Sequence, residues 1–159
     1  MCIRDSTTAA TLVAGEVDFL IYEGLGSLPH FDGSTDPAPE VTGFRKLITD
    51  ADGVVICTPE YAFGVPGSLK NALDWTVSTG EFVGKPVAVI TAATSGDKAH
   101  ASLLLTLSAR SAYVAENATL LIPFIRSKMN VNNEITDAET INAIKNIMDT
   151  FINDINNKN

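Results

Sequence analysis

Two short runs, Val54-Val55-Ile56-Cys57 and Val87-Ala88-Val89-Ile90, are apolar at every position and bounded by turn formers. A strand with one wet face alternates apolar and polar residues, so runs without alternation must be buried on both faces. A parallel sheet covered by helices meets that condition. Residues 17–22, with Phe19, Leu20 and Ile21, form a third candidate strand. Leu120-Leu121-Ile122, ahead of Pro123, form a fourth, joined to Tyr113-Val114 by a short irregular stretch.

Helical periodicity fills the intervals. Val41, Phe44, Leu47 and Ile48 share one face, and Asp52-Gly53 ends that helix. Leu69, Ala72, Leu73 and Val77 repeat at helical spacing after Pro66, a residue suited to a first helical turn. Leu103, Leu104 and Leu107 mark another helix. The last carries a stripe of Ile141, Ile144, Met148, Phe151 and Ile155, with Thr136 and Glu139 spaced as a capping box. Strands alternating with helices predict a doubly wound α/β sheet in three layers, α/β/α. No repeat, linker or charge block divides residues 1–159, so one domain is expected. A domain of this kind usually opens on a strand, yet the first fifteen residues offer a polar stub and a piece of helix over residues 7–13. The first strand is therefore expected to be missing, with residues 1–5 a non-native or incomplete start, and residues 153–159 are expected to fray.

Composition narrows the function. The 159 residues are 45% hydrophobic and 19% charged, the balance of a packed protein. An eight-stranded barrel needs roughly 200 residues or more and is excluded. A net charge of −8 and a pI near 4.6 disfavour phosphate backbones and anionic membranes as partners. No run reaches the ~20 apolar residues of a membrane span. Two cysteines, Cys2 and Cys57, are too few for a disulfide framework and point to the cytoplasm. His30 and His100 have no metal-ligand spacing, no nucleophile motif is placed for acyl transfer, and the Walker A and dinucleotide glycine patterns are absent. Cys57, inside an apolar strand, reads as a small core residue.

Ligands of open parallel sheets bind at the carboxyl ends of the strands. There the loop Pro59-Glu60-Tyr61-Ala62-Phe63-Gly64-Val65-Pro66-Gly67 follows the first buried run. Its two prolines and two glycines in nine residues fix the backbone and limit the entropy lost when a ligand docks, and it feeds the start of a helix, whose N–H groups favour an electron-rich oxygen. Tyr61 and Phe63 either flank a planar heteroaromatic ligand such as a flavin or cap the core above the sheet.

Thr58-Pro59-Glu60-Tyr61, followed by Pro66-Gly67-Ser68-Leu69-Lys70-Asn71-Ala72-Leu73-Asp74-Trp75, resembles the signature of the NAD(P)H-dependent FMN reductases, flavodoxin-like enzymes that include quinone, chromate and azo-dye reductases. Weaker likeness extends through residues 25–31, Gly84-Lys85-Pro86 and residues 130–140. The resemblance implies a flavodoxin-like sheet, without its central first strand here. It implies FMN as cofactor, NAD(P)H as co-substrate and ping-pong hydride transfer through the flavin N5 to a small acceptor such as a quinone or flavin. It also implies a homodimer or homotetramer. The backbone of Pro59, Glu60, Tyr61 and Ala62, with Phe63 beside them, would hold the flavin ring, and Thr94, Ser95 and Gly96 would lie on its other side. The family's usual residue at position 62 is asparagine, and this chain has alanine. The family's phosphate loop, Gly-Ser-x-Arg…Ser, has no full counterpart; Ser6 and Thr8 match its end, and Arg4 sits one residue out of step.

No side chain is assigned to catalysis, since the cofactor carries the chemistry. Glu60 reads better as a charge at a helix start or an interface. Lys70, Asn71, Asp74 and Trp75 read as structure or assembly, with Lys70 and Asp74 an i,i+4 pair. The alternative is a flavodoxin-type electron carrier without its own reductase activity, and a third reading is a flavin-free remnant.

Overall fold

A computed structural model describes residues 2–13 and 17–157, with residues 2–6 through their backbone alone. Helices α1 (Cys2–Leu12), α2 (Pro39–Asp50), α3 (Gly67–Asp74), α4 (Asp97–Ser108) and α5 (Ala138–Asn156) alternate with strands β1 (Val54–Thr58), β2 (Val87–Ala92) and β3 (Thr119–Ile122). The strands form a parallel sheet in the order β1-β2-β3, with Val54 opposite Val87 and Val89 opposite Thr119. Tyr113 touches the sheet through a single parallel bridge to Pro86.

Period-two alternation sends each strand's residues into two cores. Ala88, Ile90 and Ala92 face α1 and α5, whereas Val87 and Val89 face α2, α3 and α4. Every residue of β2 is buried, as a strand covered on both faces requires. Cys57 is buried beside α1, in agreement with a packing role.

The structure corrects the sequence reading in several places. Residues 17–22 form no strand. Their apolar side chains still pack, Phe19 on one core and Tyr22 on the other, and Val17 forms an isolated β-bridge, but among the described residues no ladder reaches residues 18–22. Between them and the outer edge of β1 lies a cavity of about 810 Å³, walled by Phe44, Leu69 and Leu73 on one side and Met148, Phe151 and Ile155 on the other. Five residues of strand, at ~3.3 Å rise, ~4.8 Å spacing and ~10 Å layer depth, take roughly 790 Å³. The cavity has about the volume of one such strand, and among the described residues no ladder joins residues 18–22 to β1.

Other corrections concern helix ends. Residues 2–5, expected as a stub, are helical, and α5 runs through Asn156, where fraying was expected. The cap of α5 is Asp137, one residue beyond Thr136. Its carboxylate accepts from the Thr140 amide at 2.9 Å and hydroxyl at 2.6 Å, and both bonds hold its pKa below the ordinary carboxylate value. Pro66 is the N-cap of α3 and lies outside its first turn. Val77 lies beyond the end of α3 and is exposed, and Leu47 points to solvent from α2.

Candidate functional site

The loops at the carboxyl ends of β1, β2 and β3 meet at one edge of the sheet. After β1, Pro59 is buried, and the chain then folds into a tight reverse turn. Tyr61 donates its N–H to the Gly64 carbonyl at 2.9 Å, and Gly64 donates back to Tyr61 at 3.0 Å. Ala62 and Phe63 at the apex have φ of 49° and 62°. Positive φ at both central residues is the requirement of a type I′ turn, normally met by Asn-Gly. An alanine and a phenylalanine there hold strain of ~1–2 kcal/mol each. Asparagine, the residue that the resemblance implies at position 62, tolerates the left-handed conformation that alanine resists.

The turn projects away from the core. Tyr61 is 59% and Phe63 79% exposed, so neither caps the core. The amides of Ala62 and Phe63 have no acceptor among the described residues, whereas that of Tyr61 is spent within the turn. Strained backbone, exposed rings and donors without an acceptor among the described residues together make a surface for a flat ligand with carbonyl oxygens.

The second loop follows β2. Thr94 and Ser95 are exposed, and Gly96 is buried at φ 93°. A Cβ at Gly96 would stand 2.7 Å from Leu121 Cδ1, so the conformation favours glycine and any other residue would need the Leu121 side chain to shift. The Ser95 hydroxyl donates to Asp97 at 2.8 Å; that bond and Lys98 draw the Asp97 pKa below its ordinary value. His100, one turn into α4, meets the Thr91 hydroxyl at 2.8 Å, and burial lowers its pKa.

Glu60 joins the two loops. Its carboxylate accepts the Ala99 N–H of α4 at 2.9 Å. The charge assigned to a helix start from sequence thus caps α4, a helix far along the chain. The sequence reading overlooked Phe124. Its backbone is left-handed, at φ 55°, its ring is 65% exposed, and its N–H donates to the Thr94 carbonyl at 3.2 Å. The only local signal was an aromatic directly after Pro123 at a strand's carboxyl end.

The other predicted residues are carried by α1 and by α3 and its C-cap. Thr8 sits half-buried within α1 and not at a loop's end; Ser6 is on the same helix, and its side chain lies outside the described residues, as does that of Arg4. Lys70 and Asp74 form their i,i+4 pair at 2.7 Å. Asn71 and Trp75 both donate to the Pro29 carbonyl, at 2.9 and 2.8 Å, and Phe31 donates its amide to Asn71. They pin residues 29–31 against α3, which is a structural task. No cluster of three or more metal-ligating side chains occurs among the described residues.

Comparison with known proteins decides the family. Residues 6–126 match the NADPH-dependent FMN reductase family. The chain belongs to that family. This FMN reductase is 31% identical to the NADH-dependent flavin reductase subunit 2 of Lactobacillus johnsonii, over 86% of this chain and 80% of that one. It is 35% identical to a 2-hydroxy-1,4-benzoquinone reductase of Burkholderia, over 89% and 81% of the two chains. Among solved structures, FerB, a flavoenzyme NAD(P)H:(acceptor) oxidoreductase from Paracoccus denitrificans, superposes with a TM-score of 0.85 at 25% identity, over 99% of this chain and 90% of FerB. The FMN reductase described here is accordingly an NAD(P)H-dependent oxidoreductase with FMN as cofactor and the flavodoxin-like fold. None of its described helices is long and apolar enough to cross a membrane.

Proposed function

We propose that the turn after β1 and the loop after β2 hold the flavin ring of FMN between them, and that the acceptor is a small quinone or flavin. The observation that carries this reading is the strained turn whose two apex amides have no acceptor among the described residues. A conformation that costs energy, at the edge of the sheet where ligands bind, is better explained by a ligand than by packing. The apex amides of Ala62 and Phe63 would donate to the ring's carbonyl edge. The backbone of Pro59, Glu60 and Tyr61 shapes the approach, and Thr94, Ser95 and Gly96 line the opposite side. Ser6 and Thr8 are assigned to the phosphate end. FMN, when bound, supplies the two-electron chemistry. The chain's own task is to orient the ring, exclude water from one face and leave the other open to donor and acceptor in turn.

The exposed rings of Tyr61, Phe63 and Phe124 suit an aromatic acceptor, which they would hold by stacking. We read the protein as a single domain that assembles as a homodimer or homotetramer in the cytoplasm, supported by exposed Val77, Val83 and Leu105 and by the small number of cysteines. The test is a titration of the purified chain with FMN, followed by anaerobic NAD(P)H and then a benzoquinone. The expected result is stoichiometric binding, bleaching of the flavin bands, and their return with the quinone. Absence of saturable FMN binding would overturn the site.

A further inference from the structure

The loops after β1 and β2 are fixed very differently. The loop after β2 is held to the β3 side by three backbone bonds of 3.2 Å: Ala93 N–H to Ile122, Phe124 N–H to Thr94 and Ile125 N–H to Ala93. The turn after β1 has bonds only within itself, and its apex is strained toward relaxation. Among the described residues, one hydrogen bond crosses from the first loop to the second segment, that from the Ala99 amide to the Glu60 carboxylate. Above the β1–β2 ladder, which ends at Thr58 and Thr91, it is the one hydrogen bond among the described residues that links the two walls.

From this geometry we infer that Glu60 is a positioning residue: its side chain ties the turn to the start of α4 and thereby fixes the width of the cleft in which the ring lies. The inference rests on the flavin reading above and adds a role for a side chain that touches no ligand. Glu60 is half-buried and reaches the third residue of α4, whose N–H has no partner within the helix. A carboxylate there makes a charge-assisted bond and meets the positive end of the helix dipole. It also fills the place at the start of α4 where an external anion could dock, so the cofactor's phosphate is directed elsewhere. Preorganising both walls removes an ordering cost that the ligand would otherwise meet on binding.

Reach and charge can be separated. Glu60→Gln keeps the length and an acceptor oxygen but loses the charge, whereas Glu60→Asp keeps the charge and loses a methylene of reach. A tether predicts that Glu60→Gln binds FMN within about threefold of wild type, while Glu60→Asp and Glu60→Ala weaken it about tenfold, the scale of one lost charge-assisted bond. In the apo chain, hydrogen exchange at the Ala99 amide should quicken in Glu60→Asp and Glu60→Ala and stay slow in Glu60→Gln. Flavin midpoint potential gives a further readout: removing the negative charge in Glu60→Gln should raise it even with affinity preserved. A simple helix cap would lower thermal stability in Glu60→Asp and leave the FMN affinity of the folded protein at the wild-type value, and that result overturns the inference. Should Glu60→Ala fail to fold, the Gln and Asp pair decides the question alone. Failure of wild type to bind FMN would instead overturn the flavin site itself.

Discussion

Strand β2 and residues 17–22 are both six residues long and largely apolar, yet they have opposite fates. β2 lies between two parallel neighbours, exchanges ladder bonds with both, and buries every side chain. Residues 18–22 have no strand partner among the described residues, leave Leu20 67% exposed, and border a cavity with about the volume of a strand. A β-branched run is a strand only where another backbone stands ~4.8 Å away to take its N–H and C=O groups. Side-chain burial holds residues 18–22 near the core without giving them regular structure.

Core truncation should break the symmetry most sharply. Ile90→Ala in β2 is expected to cost ~3–4 kcal/mol, because its side chain is fully buried in a packed core. Ile21→Ala, half-buried beside the cavity, should cost ~1 kcal/mol or less, since the void already exists there. Urea denaturation of both variants measures the difference, and equal losses would refute it. Native-state hydrogen exchange tests the same contrast without mutation. Val89 should exchange only through global unfolding and Ile21 through local opening.

Smaller effects sharpen the comparison at the loops that the well-paired strands carry. Gly96→Ala should lose ~1–2 kcal/mol from its positive φ alone, more if Leu121 does not move aside. Ala62→Gly should raise stability by up to ~1 kcal/mol by relieving the turn. A gain in the apo protein accompanied by looser FMN binding would show that the strain serves the site.

The pH dependence is smaller still. Burial lowers the His100 pKa from its ordinary 6.5, so the unfolded chain takes up the proton first. Stability from this group is complete above that value and falls as pH drops through it toward the folded pKa. Denaturation midpoints between pH 8 and pH 5 should decline less in His100→Gln than in wild type.

Much of this was legible in the chain. Unbroken apolar runs located β1 and β2, the period of 3.6 located the helices, and the motif around Tyr61 and Trp75 located the edge where the loops gather. The positions missed share one feature: they depend on partners distant in sequence. Asp137 rather than Thr136 caps α5 because the approaching chain presents it to Thr140. Leu47 fits the helical stripe of α2 yet faces water, because the core contacts that face only through Val41, Phe44 and Ile48. Phe124 gave no local sign of joining the site, since only the pairing of β3 with β2 brings it beside Thr94.

By itself the sequence determined the layered α/β plan and the stiff loop, because hydrophobic period, glycine and proline act over a few residues. Tertiary structure alone decided that residues 17–22 would not be a strand, that Ala62 and Phe63 would be strained, and that Glu60 would reach α4. Hydrogen bonds between remote backbones need both partners in place, and only the assembled fold supplies the second one.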